Sequence, residues 1–471
     1  MASDDLLYLT IAEAARRIRR GELSPIELLQ AHLTRISETN EGLNGFITVM
    51  EREAMADAEA IEKALRAGQR PSALSGIPIG VKDTYDVKGV PTTLGSKLFS
   101  NRMANEDSVV VARLRNAGAI FIGKNQLHEL AFGATSENPH FGNSRNPWDT
   151  ERATGGSSGG GAASVAAGLC MAAIGSDTGG SVRTPPALCG AVGFKPTFGR
   201  ISRRGMAPAA FSLDTVGLIT RSVEDAGLLL SETAGHDPDD PSSATWPNED
   251  FNRLIGQGVE GKKVGFPKEF FYDAVHPDVE EAVRKTMDEF ERLGAIVEEV
   301  SIPWLQRSLD VSTTIAIAEF AEVALPLLKK HADDIGGDVR EVVEAGLAVP
   351  ATDYIRCQQA RTLFNRQLLD VMKGFDVLAS PMVGIGAPRF DNMTAVETKA
   401  GLKDSRDILS HLSRPYNQSG APAISVPCGF TGEGLPISLQ LASLPFHDAS
   451  LLQIAHAYEQ ATEWHRQHPP I

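Results

Sequence analysis

Two stretches of this chain set hydroxyls among glycines. Thr154-Gly-Gly-Ser-Ser-Gly-Gly-Gly161 comes first, and Ser176-Asp-Thr-Gly-Gly-Ser-Val-Arg183 places a serine 24 positions after Ser157. Glycine runs let backbone pass close to another group and free N–H donors to point one way. Three readings compete for the first stretch. A phosphate loop needs Lys-Ser/Thr after its second glycine, and that spacing is absent. A dinucleotide fingerprint needs G-x-G-x-x-G between strand and helix, and a glycine-rich loop alone says little for it. Tight packing of a small-residue helix would explain the glycines without any chemistry. The second stretch shifts the balance toward acyl transfer, because two glycines directly before Ser181 set a strip of N–H groups beside a hydroxyl. A serine nucleophile usually takes its base from His supported by Asp. No His lies in or beside either stretch, His128 and His140 being nearest in sequence. A triad completed by a distant His and Asp stays open at this point.

Further segments carry a resemblance. Gly76-Ile-Pro-Ile-Gly-Val81 leads into Lys82, 75 positions before Ser157. Together with Gly142-Asn-Ser-Arg-Asn-Pro-Trp148, Gly190-Ala-Val-Gly-Phe-Lys-Pro-Thr197, Gly420-Ala-Pro-Ala-Ile-Ser-Val-Pro-Cys-Gly429 and the two Gly/Ser stretches, it resembles the amidase signature family. The likeness runs from about residue 5 to the C-terminus and is densest from 75 to 220. It implies a Ser–cis-Ser–Lys triad. Ser181 would be the nucleophile that forms the acyl-enzyme, Ser157 the relay after a cis peptide from Gly156, and Lys82 the base. The N–H groups of Thr178, Gly179, Gly180 and Ser181 would form the oxyanion hole. Ser158, Asp177 and Arg183 match positions that support the loops. In the fatty acid amide hydrolase branch, the residue matching Ala131 touches the acyl or leaving group through its backbone.

The demands of such a triad can be stated from physics. A lysine titrates near 10.4 and is a poor base at neutral pH, but burial disfavours the ammonium and lowers that value. The apolar approach from Ile77 to Val81 suits burial of Lys82, whereas Asp83 would oppose it if its side chain faced inward.

The elements that must position these groups alternate. Thr10-Ile-Ala-Glu13 and Ser24-Pro25-Ile-Glu27 read as capping boxes at the heads of helices, so residues 1–70 are expected to be helical. A short buried strand ends at Val81-Lys82. Asp107 to Gly118 reads as helix and Ala119 to Lys124 as strand. Lys263–Phe266 is a strand, Val279–Leu293 an amphipathic helix, and Ala295–Val300, Phe375–Ala379 and Ala423–Pro427 are strands. This order implies α/β architecture. The resemblance sharpens that to one domain over 1–471, a twisted mixed β-sheet covered by α-helices on both faces. Its signature core is 75–220, and 236–262 is a surface excursion that begins with the acidic, Pro-rich loop 236–248. Several residues carry blander expectations. Asp237 to Asp240 reads as solvated surface, Met206 and Phe211 as packing residues or the lining of a pocket, and Gly420–Gly429 as a turn plus buried strand. His128-Glu129 does not continue as HExxH, so no metal site is expected.

Charge and cysteines narrow the function. Lys+Arg number 45 against Asp+Glu 60, for a formal charge of −15, which argues against binding nucleic acid through a basic face and against docking on anionic lipid. Four cysteines without CxxC spacing indicate neither a zinc ribbon nor a disulfide framework. The start, Met1-Ala-Ser-Asp-Asp, lacks the features of a signal peptide, and Gly161–Gly175 is shorter than the roughly 20 residues of a membrane span. A cytoplasmic location is the expectation. The family resemblance implies hydrolysis of a small carboxamide to carboxylate plus ammonia or amine, with no cofactor. A homodimer is common among family members. Tracts such as His128-Glu-Leu-Ala-Phe-Gly133 are similar to bacterial amidases such as indoleacetamide hydrolases. Two alternatives accompany that reading. One is the glutaminase A subunit of a tRNA-dependent amidotransferase, which usually has Gln-Pro-Ala where this chain has Thr184-Pro185-Pro186. The other is a silent binding protein on the same scaffold, against which Lys82, Ser157 and Ser181 all speak.

Overall fold

Short apolar runs bounded by Gly and Pro form the strands, and the longer 3.6-periodic segments between them form helices. A computed structural model describes residues 4–471; the first three residues of the acidic start lie outside the described part. We number the strands of its main sheet β1 (Phe46–Val49), β2 (Pro78–Lys82), β3 (Ile120–Asn125), β4 (Ala172–Asp177), β5 (Val192–Lys195), β6 (Thr215–Thr220), β7 (Lys263–Pro267), β8 (Ile296–Val300), β9 (Val377–Pro381), β10 (Ala423–Phe430) and β11 (Pro436–Ala442). Their spatial order is β1-β3-β2-β4-β6-β5-β10-β11-β9-β7-β8. The sheet is mixed. β2 runs parallel to both β3 and β4, with Pro78 opposite Ile120 and Val81 opposite Ile174. β4, β6, β5, β10, β11 and β9 pair antiparallel in turn, and β7 returns to parallel pairing with β9 and β8.

Both faces of the sheet are covered. Ile120 and Ile122 of β3 bury with Leu29, Ala54 and Val165 from helices Pro25–Leu43, Glu51–Arg66 and Gly159–Ala166. Their neighbour Phe121 points the other way, into a larger core with Ile79, Ile174, Leu218 and Leu229. Strand alternation therefore divides one sheet between two apolar layers.

The parallel trio β3-β2-β4 places Lys82 and Ser176-Asp177 at the same carboxyl edge, where ligands gather in open α/β sheets. The other notable addition is helical. Leu305–His331, Gly337–Leu347 and Ala351–Met372 pack on one another beside that edge. Leu305–Asp334 is long and apolar enough, by length and composition, to cross a membrane. Here Phe320, Ala321 and Ala324 instead bury against Leu130, Val339 and Val343. The sequence pattern alone assigns no element to this region.

Several expectations need correction. Thr10 makes a full capping box, but Ser24 only caps Ile26 and Glu27 and donates its own hydroxyl to Glu62, so Glu27 does not close a second box. The stretch 1–70 contains β1 as well as helices. Asp237 and Asp240 are buried rather than solvated. Asp237 accepts from Ser202 and pairs with Arg204, and Asp240 accepts the Arg203 N–H, because loop 236–248 folds back on residues 200–204. Met206 packs as expected, whereas Phe211 is exposed with the Arg203 guanidinium over its ring.

Candidate active site

β2 ends with its last residue, Lys82, fully inside the protein. The Lys82 Nζ lies 2.8 Å from Ser157 Oγ, 2.9 Å from Ser158 Oγ and 3.0 Å from Ser176 Oγ. Burial drives its pKa from 10.5 down to about 7, partly opposed by the charges of Asp177 and Asp214. The neighbouring carboxylate does not restore the ammonium. Asp83 points away, paired with Lys124 at 2.5 Å and accepting from Thr93. A neutral amine donates two hydrogens and accepts one. Ser158 donates its own hydrogen to the Ser176 carbonyl (3.3 Å), which leaves its oxygen free to accept from Lys82. The Nζ lone pair can then take the Ser157 proton.

The Gly156–Ser157 peptide is cis, as the resemblance implied. A side chain at Gly156 would put its Cβ 2.7 Å from Gly133 O, so glycine is required for the close approach to loop 133–135. The His128 N–H donates to the Ser157 carbonyl (3.2 Å) and ties the relay residue to the neighbouring loop. Close packing of the glycines, the reading that needed no chemistry, is thus realised in the same segment.

Ser181 follows β4 on a turn organised by one carboxylate. Asp177 accepts from the Gly180 and Val182 N–H groups (2.8 and 3.2 Å), from Arg183 Nε and Nη2 (both 3.0 Å) and from Asn417 Nδ2 (2.7 Å). Burial alone would raise the Asp177 pKa, but Arg183 and these donors hold it near 2. Arg183 is itself fixed by Gln440, Asn417 and the Ser413 carbonyl. Gly180 has φ +119, in the region L side chains rarely adopt, and Ser413 would collide with any Cβ there.

This geometry corrects one expectation. The Gly180 N–H is spent on Asp177 and cannot also serve an oxyanion. The N–H groups of Gly179 and Ser181 have no protein acceptor among the described residues. Thr178 is oriented by its hydroxyl, which donates to Asp214 Oδ1 at 2.6 Å.

These groups open into a cavity of about 230 Å³ that is lined by Gly156, Thr178, Gly179 and Ser181. Ala131 lines it too, in a turn where both Leu130 (φ +51) and Ala131 (φ +58) are left-handed. The far walls come from Ser312 and Ala316, from Asp338 and Val342, and from Arg406, Ser410 and Arg414. Sequence reasoning assigned no role to any of these seven, nor to Ser176, Asp214 and Asn417. Ser176 opens the second Gly/Ser stretch and could have been found there. The others are brought in by distant segments. Among the described residues no group of His, Cys, Asp or Glu is placed to hold a metal ion. His128 pairs with Asp338 and His140 with Glu129, both at 2.8 Å, and neither has a hydrogen bond to Ser181 among the described residues.

The description "Amidase" matches residues 27–452. The chain belongs to the amidase family. It is an amidase-signature chain of a class that acts on carbon–nitrogen bonds. A curated relative from Carboxydothermus hydrogenoformans, the A subunit of glutamyl-tRNA(Gln) amidotransferase, is 37% identical over 99% of this chain and 100% of its own length. Among solved structures, a chain from a vestigial protein complex bearing on the origins of an s-triazine catabolic enzyme superposes with TM-score 0.92. It is 32% identical and the match covers 96% of this chain and 98% of the other. The glutamyl-tRNA(Gln) amidotransferase A subunit from Thermotoga maritima superposes with TM-score 0.82 at 32% identity, covering 98% and 96%. The one-domain mixed sheet with helices on both faces is the architecture of this family.

Proposed function

We propose that this amidase-family chain cleaves a carboxamide through an acyl-enzyme on Ser181 and that glutamine is its amide. It would serve as the ammonia-releasing A subunit of an amidotransferase. The end-to-end likeness to curated A subunits supports that role, at 37% identity over the whole of the relative. The buried, depressed Lys82 against the Ser157 hydroxyl supports the chemistry. Ser181 Oγ attacks the amide carbonyl carbon while its proton passes to Ser157 and the Ser157 proton passes to Lys82. The Gly179 and Ser181 N–H groups, with Thr178 beside them, receive the developing oxyanion. The C–N bond then breaks, and the leaving nitrogen takes back the proton from Lys82 through Ser157. Water repeats the sequence on the ester, releases the acid and frees Ser181. The acidic chain leaves contact with tRNA to a partner subunit.

A free amidase is the second reading. It is favoured by Thr184-Pro185-Pro186 after the nucleophile segment and by the higher superposition on the s-triazine-related chain than on the Thermotoga maritima protein.

Ammonia release from glutamine and from a panel of neutral amides, with and without co-expressed partner subunits, separates the two. Glutamine turnover that rises on assembly supports the amidotransferase reading; equal turnover of neutral amides by the lone chain supports the free amidase. Ser181→Ala is expected to lose at least about 10⁴-fold in turnover and all labelling by a fluorophosphonate. Retained turnover would remove Ser181 as nucleophile, and an unlabelled wild type that still bound ligand would return the silent-scaffold reading.

A further inference from the structure

The charged groups that line the cavity around Ser181 are not equivalent. Asp338 is held by His128 Nε2 at 2.8 Å. Arg406 is paired with Glu137 at 3.5 Å and Asp404 at 3.9 Å. Arg414 differs. Its Nη1 donates to Thr313 Oγ1 (2.8 Å) and its Nη2 to Ser410 Oγ (3.1 Å), both neutral oxygens. Among the described residues it has no ion pair within 4 Å. A guanidinium carries five N–H donors in a planar fork, so two such bonds leave most of its capacity unused. Buried cations in proteins are normally paired, and Arg414 is half-buried.

Its placement is fixed relative to the nucleophile. Ser413, the preceding residue, donates to the Gly179 carbonyl at 2.6 Å, and the Ser413 carbonyl accepts from Arg183 at 3.1 Å. The segment carrying Arg414 is therefore bonded directly to the turn that carries Ser181. Both Arg414 and Ser181 line the same cavity, whose apolar lining includes Ala131, Phe132 and Val342. Burial pushes the Arg414 pKa down, against the more distant charge of Asp407, the direction of a cation short of a counter-ion.

We propose that this cavity binds amides bearing a carboxylate and that Arg414, with Ser410 beside it, is the carboxylate-binding residue. The substrate class is thus an acid amide, with the cleaved carboxamide at Ser181 and the anionic end at Arg414. Glutamine belongs to this class. The inference rests on the acyl-enzyme reading above but holds for either role of the chain.

The test uses a matched pair on the intact protein, glutaramate and pentanamide, which share chain length and differ in the terminal carboxylate. Wild type is expected to favour glutaramate in kcat/KM by about 100-fold, and Arg414→Gln to bring that ratio near parity, mainly through KM. Arg414→Lys is expected to keep part of the preference, since charge survives without the fork. Independently, glutarate should slow fluorophosphonate labelling of Ser181 in wild type and need about 30-fold higher concentration in Arg414→Gln. An acid-to-neutral ratio unchanged by Arg414→Gln would overturn the proposal, as would a wild type indifferent to glutarate. Pentanamide turnover without glutarate protection sinks the carboxylate site and leaves the hydrolase reading standing. Glutarate protection without turnover of any amide does the reverse.

Discussion

Lys82 at the end of β2 and Lys195 at the end of β5 are both fully buried, and burial holds both near a pKa of 7. Their surroundings differ. Lys82 reaches three serine hydroxyls, one of which belongs to the relay. Lys195 donates to the carbonyl of Pro196 at 3.0 Å, a group with no proton to give. Besides burial, Arg183 lowers Lys195, while Asp177 and Asp448 raise it. Desolvation supplies an uncharged amine in both places. A depressed pKa becomes catalysis only where a transferable hydrogen lies within reach.

The largest consequence of this contrast should appear in Lys82→Met, which keeps the length of the side chain and removes the base. Turnover should fall about 10³–10⁴-fold, measured as ammonia release, with the fold intact by circular dichroism. Near-normal turnover would make Lys82 no more than a second Lys195.

Asp177→Asn comes next. It leaves Arg183 buried without its counter-charge and loosens the Gly180 and Val182 N–H groups. Stability in urea should drop by about 3–5 kcal/mol and turnover by about 100-fold. Because Asp177 raises the Lys82 pKa, the pH midpoint of whatever activity remains should shift to lower pH. A shift upward would contradict that electrostatic link.

The wild-type pH profile is the third check. Lys82 must be neutral to accept a proton, so kcat/KM should climb about tenfold per unit below pH 7 and level off above it. A profile already flat at pH 5 would mean that another group is the base.

Lys195→Met should change turnover least, by no more than about threefold. Lys195 carries its folding penalty in full below its native pKa near 7 and loses it as pH climbs toward the unfolded value of 10.5. The variant should therefore be more stable than wild type by about 2 kcal/mol at pH 6, with the gap closing in alkali. A large loss of turnover would show that desolvated amines in this fold cooperate across strands.

The residues proposed for the chemistry were legible because they sit in short, unusual strings. Gly155 to Gly161 and Ser176 to Arg183 carry their packing demands and their reactive groups in the same letters. What surrounds them was not legible, because it is assembled over long range. Arg414 and Ser181 are far apart in sequence, and they come to line one cavity through folding that ties Ser413 to Gly179 and Arg183. Asp237 and Asp240 looked solvated because a local acidic run gives no hint that residues 200–204 will fold against it. Helix Leu305–His331 escaped notice for another reason. Ser308 and Ser312 sit on its buried face, apolar residues also lie off that face from Ile317 to Leu328, and Pro326 lies inside it, so no single apolar stripe marks it. Gly180 shows the limit even inside a motif that was noticed. Its place in the turn was plain, but the sequence could not say that its N–H would face Asp177 rather than the substrate.

The chemistry is built on the sheet edge, while Ser312, Ala316, Asp338 and Val342 reach the cavity from the helical pair 305–347, which attaches through His128–Asp338, Glu129 to the Gly336 N–H, and the Phe320 cluster. That part of the cavity wall therefore has fastenings of its own, separate from the segment that carries Ser410 and Arg414. Through His128, which bonds Asp338 with its ring and the Ser157 carbonyl with its backbone, a change in how those helices seat would be felt at the hydroxyl next to Lys82.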